Sequence, residues 1–145
     1  MSSYVLDASV AAKWFLPPNQ ELFVDQASRL LRRFSAGDCR FVVPDLFWSE
    51  MGNILWKAVR NRRMSEAACE AAITSLESIG IATFPCRPLL RSAMDIAVIF
   101  DRTLYDSMYV ALAVESNAPL LTADERLANA LATLFPICWL GALPS

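Results

Sequence analysis

Histidine is missing altogether from the 145 residues. That absence excludes Ser-His-Asp and Cys-His catalysis, imidazole acid–base chemistry and every His-ligated zinc site. Any hydrolytic chemistry must come from carboxylates, hydroxyls, lysine or a bound metal. Charge is sparse too: 19% of residues are charged and 55% hydrophobic, against averages of about 25% and about 45–50%. Disorder is thereby excluded, and the composition leaves room for an apolar surface kept for a partner. With 13 basic and 15 acidic side chains the net charge is −2, so no global basic field draws in nucleic acid. The four cysteines, Cys39, Cys69, Cys86 and Cys138, form no C-x-x-C pair. They read as reduced core residues of a cytoplasmic protein. No apolar run is long enough to cross a bilayer, and the first one carries Asp7 and Lys13, so neither a signal peptide nor a membrane span is expected.

What is present fits one domain, residues 1–145, of a size that buries roughly two-thirds of its unfolded surface without staples. No repeat or Gly/Ser linker interrupts it. Tyr4-Val5-Leu6 reads as a short buried strand ending at Asp7, followed by a helix over Ala8–Phe15 that must stop before Pro17-Pro18. Glu21–Phe34 has the period of an amphipathic helix with Leu22, Ala27, Leu30 and Leu31 inward. A second strand over Phe41–Val43 leads to a long helix capped by Asp45, and Ser65 opens another that Gly80 closes. A strand over Ile81–Phe84 and helices over Pro88–Phe100 and Thr103–Ser116 come next. A strand over Pro119–Thr122, a helix over Asp124–Thr133 and a last strand over Ile137–Trp139 complete the chain. Short apolar strands alternating with helices predict an α/β fold with a parallel sheet covered on both faces. Ligands of such sheets bind beyond the carboxyl ends of the strands, near a reversal of strand order.

Four acids stand at those places. Asp7 directly follows the first strand, and Asp124 follows the fourth by two residues. Glu50 shares a helix face with apolar Leu46 and Ile54. Asp106 leads into Met108–Val114, which is apolar all round and predicted to be buried. Each has an ordinary alternative: Asp106 as third residue of a T-x-x-D box begun by Thr103, and Asp124 in a helical first turn behind Thr122. Glu50 could be a solvated helix residue, and Asp7 could bond the following helix's N–H groups. Clustered together, four carboxylates would repel one another unless a cation joined them. Oxygen-only ligands suit Mg²⁺ or Mn²⁺, and such a site suits phosphoryl transfer with a metal-activated water.

The ordered set V-L-D-A-S (5–9), P-D-L-F-W-S-E-M-G-N (44–53), L-Y-D-S-M-Y-V-A-L-A (104–113) and L-L-T-A-D-E-R-L (120–127) resembles the PIN-domain family. The single-domain length is similar to that of the VapC ribonuclease toxins of prokaryotic toxin–antitoxin modules. The resemblance implies a three-layer α/β/α sandwich around about five parallel strands, and an Mg²⁺- or Mn²⁺-dependent endoribonuclease acting through water. It implies that Asp7 and Asp106 are the main metal ligands, with Glu50 and Asp124 completing the site or orienting water, and that Ser9 and Thr122 support the carboxylates. It further implies an RNA substrate, a small antitoxin partner, a homodimer, and contact with DNA only through the antitoxin. Asp101 is a nearby acid the pattern does not demand.

Setting the four acids aside turns the net charge from −2 to +2. Arg60, Arg62, Arg63 and Lys57 form the densest basic run and Arg29, Arg32 and Arg33 another. Either could meet an RNA backbone or be a solvated helix end. Arg102, beside the site motif, is the arginine to test for phosphate contact. Trp14, Phe15, Trp48, Met51 and Trp56 read as core, or as surface covered by an antitoxin. A haloacid-dehalogenase-like phosphatase or a receiver domain fits poorly. The phosphatase needs a second Asp where Ser9 stands, and both want a late lysine where the chain has only Lys13 and Lys57. A non-catalytic module of the same fold and a housekeeping RNA-processing nuclease are the remaining alternatives.

Overall fold

In the computed structural model, which describes residues 2–145, five strands make one wholly parallel sheet. They are β1 (Ser2–Leu6), β2 (Cys39–Pro44), β3 (Ala82–Phe84), β4 (Leu120–Thr122) and β5 (Ile137–Trp139). The order is β3-β2-β1-β4-β5, with Tyr4 level with Phe41, Leu6 with Leu121, and Leu121 with Cys138. Val5, Leu6, Leu120 and Leu121 are sealed from solvent, as expected of central strands buried on both faces. Strand order reverses between β1 and β4, so this pair marks the switch point where a ligand crevice opens.

The helices are α1 (Ala8–Ala11), α2 (Val24–Ser35), α3 (Leu46–Arg60), α4 (Glu66–Ser78), α5 (Leu90–Phe100), α6 (Leu104–Ser116) and α7 (Glu125–Leu131). They cover both sides of the sheet, the α/β arrangement the strand–helix alternation predicts. Phe47, Met51 and Leu55 of α3 and Leu112 of α6 are fully buried and fill the core. Ser107 through Ala113 of α6 are all buried, so this helix runs through the interior as its unbroken apolar sequence requires. Gly80 stands just beyond α4 with φ +84°, a left-handed position that costs glycine nothing and ends the helix there.

The largest departure from the sequence pattern lies between α1 and α2. Residues Ala12–Trp14 tighten into a 3₁₀ turn and Pro18–Gln20 form another. Phe23 adopts φ +60° before α2 begins at Val24. Glu21 and Leu22 are therefore not helical, and Leu22 lies exposed rather than inward. Paired prolines impose this break, because they fix φ and withhold N–H donors. Glu21 instead accepts bonds from Lys13 Nζ and Arg63 Nη2, both at 3.2 Å, tying the loop to the end of α3. Asp45 precedes α3 but makes no side-chain capping bond. Ser65 does cap α4, its hydroxyl accepting from Ala68 N–H at 3.0 Å. Of the cysteines only Cys39 is buried; Cys69, Cys86 and Cys138 are half-buried. No helix among the described residues is long and apolar enough to cross a membrane.

Candidate active site

The end of β1 and the end of β4 are stitched together through Asp7. Its backbone N–H bonds Leu121 O at 3.0 Å, continuing the sheet ladder. Its carboxylate then receives two hydroxyls on the same oxygen, Oδ2: Thr122 at 2.7 Å and Ser9 at 2.8 Å. Each hydroxyl is itself oriented by the β4–α7 loop, Asp124 N–H donating to Thr122 Oγ1 and Ala123 N–H to Ser9 Oγ, both at 3.0 Å. These two relays fix the carboxylate plane while Oδ1 takes no side-chain bond. The supporting roles expected of Ser9 and Thr122 are thus present as hydrogen bonds. Asp7 does not cap α1 with its side chain.

The other three acids are carried by α3, by the first turn of α6 and by the N-cap of α7. Glu50, one turn into α3 and half-buried, accepts a 2.7 Å bond from the Tyr109 phenol of α6 on Oε1. Asp106 stands in the first turn of α6, where Thr103 Oγ1 accepts its backbone N–H at 3.1 Å. The cap uses the backbone N–H and leaves the carboxylate out of it. Its Oδ2 meets only Arg102 Nη2, at 3.5 Å. Asp124 is the N-cap of α7, Oδ1 accepting from Arg126 N–H at 3.0 Å and Leu127 N–H at 3.2 Å. Asp124 is thus the cap itself and not a first-turn residue behind Thr122, and its Oδ2 remains outside the cap.

Asp7, Glu50 and Asp106 act on one another's charge, and Asp124 acts on Asp106. Burial pushes the Asp7 carboxyl above its usual range, against the lowering effect of the Thr122 and Ser9 hydroxyls, and the Asp106 charge pushes it further. Glu50 is raised first by burial, then by Asp7 and Asp106, with the Tyr109 bond opposing. Asp106 is raised by burial and by Asp124, opposed by Arg102. Tyr109 is held strongly protonated by burial and by the charges of Asp7 and Glu50, so it acts as a donor. An all-oxygen donor set whose members repel one another fits a divalent cation in chemistry. Among the described residues, however, no three Asp, Glu, Cys or His side chains are already drawn tightly enough to hold an ion. A cation would have to pull them inward.

A cleft of about 340 Å³ opens beside Glu50, lined by Leu46, Ser49, Asn53 and Tyr105. A larger hollow, about 770 Å³, lies elsewhere, between Lys13, Trp14 and Leu16 on one side and Val24, Leu31 and Arg32 of α2 on the other. Asp101, left-handed at the end of α5 with φ +54°, takes part in none of these contacts. Of the basic runs, Arg63 is engaged by Glu21 and Gln20, Arg60 lies over the Trp56 ring at 5.3 Å, and Arg29 bonds Ser145 O. Trp14 donates to Ala27 O and Trp48 to Thr83 Oγ1, while Met51 is core and Trp56 is exposed. Tyr109 escaped the sequence reading because it sits within an unbroken apolar helix; its partner comes from 59 residues away.

The sequence profile of the PIN domain matches residues 4–131, nearly the whole chain and a span that contains the four acids. The chain belongs to the PIN-domain family. Curated relatives of this PIN domain include Ribonuclease VapC1 of Mycobacterium tuberculosis, 36% identical over 88 residues, covering 60% of this chain and 65% of that protein. The aligned region thus spans somewhat under two-thirds of that relative. Ribonuclease VapC3 of Pyrobaculum aerophilum is 28% identical over 127 residues, covering 86% of this chain and 92% of the relative. Among solved structures, Mycobacterium tuberculosis VapC20, described as a sarcin-ricin loop cleaving toxin, superposes with a TM-score of 0.64. It is 16% identical, over 91% of this chain and 95% of its own. That likeness concerns the PIN fold.

Proposed function

We propose that this PIN domain is a divalent-metal-dependent endoribonuclease of the VapC toxin type, with Asp7, Glu50, Asp106 and Asp124 as its acidic site. The observation that supports the reading is the Asp7 carboxylate, held at the β1/β4 switch point by the Thr122 and Ser9 hydroxyls, with Asp7, Glu50 and Asp106 raised by burial and by neighbouring acids. That desolvation and repulsion serve no stabilising purpose, and a bound cation would offset both. Family membership and relatives named as ribonucleases point to the same chemistry.

Mg²⁺ or Mn²⁺ bound there would supply positive charge to a phosphodiester and activate a water for attack. Asp7, fixed by two hydroxyls, would offer Oδ1 to the ion as a preoriented ligand. Asp106 would exchange its long contact with Arg102 for the ion. Arg102 would then be released toward the phosphate. Glu50, restrained by Tyr109 through one oxygen, would keep the other for the ion or for orienting water. Asp124 would contribute through Oδ2 while Oδ1 keeps α7 anchored. The partner in this reading is a small antitoxin whose apolar segment fills the hollow lined by Trp14, Leu16, Val24 and Leu31, with two toxin copies pairing as a homodimer.

The test is cleavage of a labelled structured RNA by antitoxin-free protein, with Mg²⁺ or Mn²⁺ and with chelator, beside Asp106→Asn. Metal-dependent cutting that vanishes in the variant supports the assignment. An active Asp106→Asn protein refutes it.

A further inference from the structure

The phenol of Tyr109 stands out among the side chains that the acidic site does not itself require. Tyr109 is 2% exposed and belongs to the buried face of α6, three residues after Asp106. Its hydroxyl crosses to α3 and donates to Glu50 Oε1 at 2.7 Å, the only side-chain hydrogen bond Glu50 makes among the described residues. A buried phenol needs one partner, and a backbone carbonyl would satisfy it as well. Here the partner is an ionisable oxygen on a carboxylate that the charges of Asp7 and Asp106 act upon. Glu50 is long and only half-buried, with an open cleft beside it lined by Ser49, Asn53 and Tyr105. Left unrestrained, its carboxylate would swing into that cleft, away from the like charges of Asp7 and Asp106. The hydroxyl bond is what opposes that movement.

We infer that Tyr109 is a positioning residue that holds Glu50 toward Asp7 and Asp106 by occupying Oε1, so that Oε2 alone is presented to the bound cation or its water. The inference rests on the nuclease reading and deepens it. It separates the roles of the two α6 residues: Asp106 presents a carboxylate, and Tyr109 aims one carried by another helix. Partners that orient a metal-binding side chain typically affect metal affinity or turnover by about 10–100-fold.

The experiment measures Mn²⁺ binding to the RNA-free protein by calorimetry, together with steady-state cleavage of an RNA that the wild type cuts. Tyr109→Phe keeps the ring and removes the hydroxyl. Its expected signature is a Mn²⁺ Kd weakened about tenfold and a kcat lowered about tenfold, with KM for RNA unchanged within twofold. The same substitution in a Glu50→Ala background should change Mn²⁺ affinity less than twofold if the hydroxyl acts through Glu50; an effect through the Ala8 backbone beside Asp7, which the hydroxyl also meets, or a general loosening of the core would instead weaken both backgrounds alike and overturn the inference. Thermal denaturation identifies any unfolded variant, and Tyr109→Leu, which also lacks the hydroxyl, then replaces it. Wild-type Mn²⁺ affinity and kcat in a folded Tyr109→Phe protein would overturn the inference while leaving the nuclease reading intact. Absence of any Mn²⁺ binding by the wild type would overturn the nuclease reading, and the inference with it.

Discussion

Replacing Thr122 with valine tests how the β4 end holds Asp7. Thr122 is fully buried, donates to Asp7 Oδ2 at 2.7 Å and accepts from Asp124 N–H at 3.0 Å. Valine keeps the shape and loses both bonds. A hydrogen bond to a charged group contributes about 1.5–3 kcal/mol, and a backbone N–H left without its acceptor costs about 1 kcal/mol more. The added methyl returns up to about 0.8 kcal/mol. The expected loss at neutral pH, without metal, is therefore about 2–3 kcal/mol. Its pH dependence follows from the same bond. Asp7 is already raised by burial, and the Thr122 hydroxyl lowers it, so the variant's Asp7 is raised further. A group with a raised folded pKa favours the folded state fully below the unfolded value and loses that contribution as pH rises through the folded one. The variant should thus fall behind wild type as pH climbs above the ordinary carboxylate range, and nearly rejoin it near pH 3, where Asp7 is protonated in both. Urea denaturation at pH 3, 5 and 7 with chelator present measures this. A loss below about 1 kcal/mol at pH 7, or one equal at pH 3 and pH 7, would refute the reasoning.

Asp106→Asn should leave the metal-free fold intact at neutral pH and stabilise it by no more than about 1 kcal/mol, since this half-open carboxylate is screened by solvent and loses Arg102 as well; its Tm in chelator checks this, and the RNA assay should show no cutting. Because Asp7, Glu50 and Asp106 all have raised folded values, metal-free wild type should lose stability as pH rises above the ordinary carboxylate range, about 4. Mn²⁺ at a hundred times its Kd should restore about 2.7 kcal/mol at pH 7, and a Tm series with and without Mn²⁺ reads both effects. Phe47→Ala, which empties the largest fully buried side chain of α3, should cost about 3–5 kcal/mol by urea denaturation.

Sequence alone determined the strand–helix alternation, the parallel sheet and the four acids at strand ends and helix starts. Those features follow from local rules: continuous apolar runs for buried strands, caps at Ser65 and Thr103, and the glycine stop at Gly80. Asp106 also matched its ordinary alternative through its capped backbone, whereas Asp124 proved to be a cap itself, through one oxygen. Spacing along the chain does not reveal that a carboxylate has two oxygens with separate uses. Only the tertiary structure decided that Tyr109 bonds Glu50 and that Glu21 leaves α2 to join Lys13 and Arg63. It also separated Met51, in the core, from Trp56, on the surface of the same helix. The physical reason is common to all of them. Periodicity fixes which way a side chain faces, whereas its partner is chosen by how helices from distant parts of the chain pack onto the sheet, and the energies of buried polar contacts exist only once that packing excludes water.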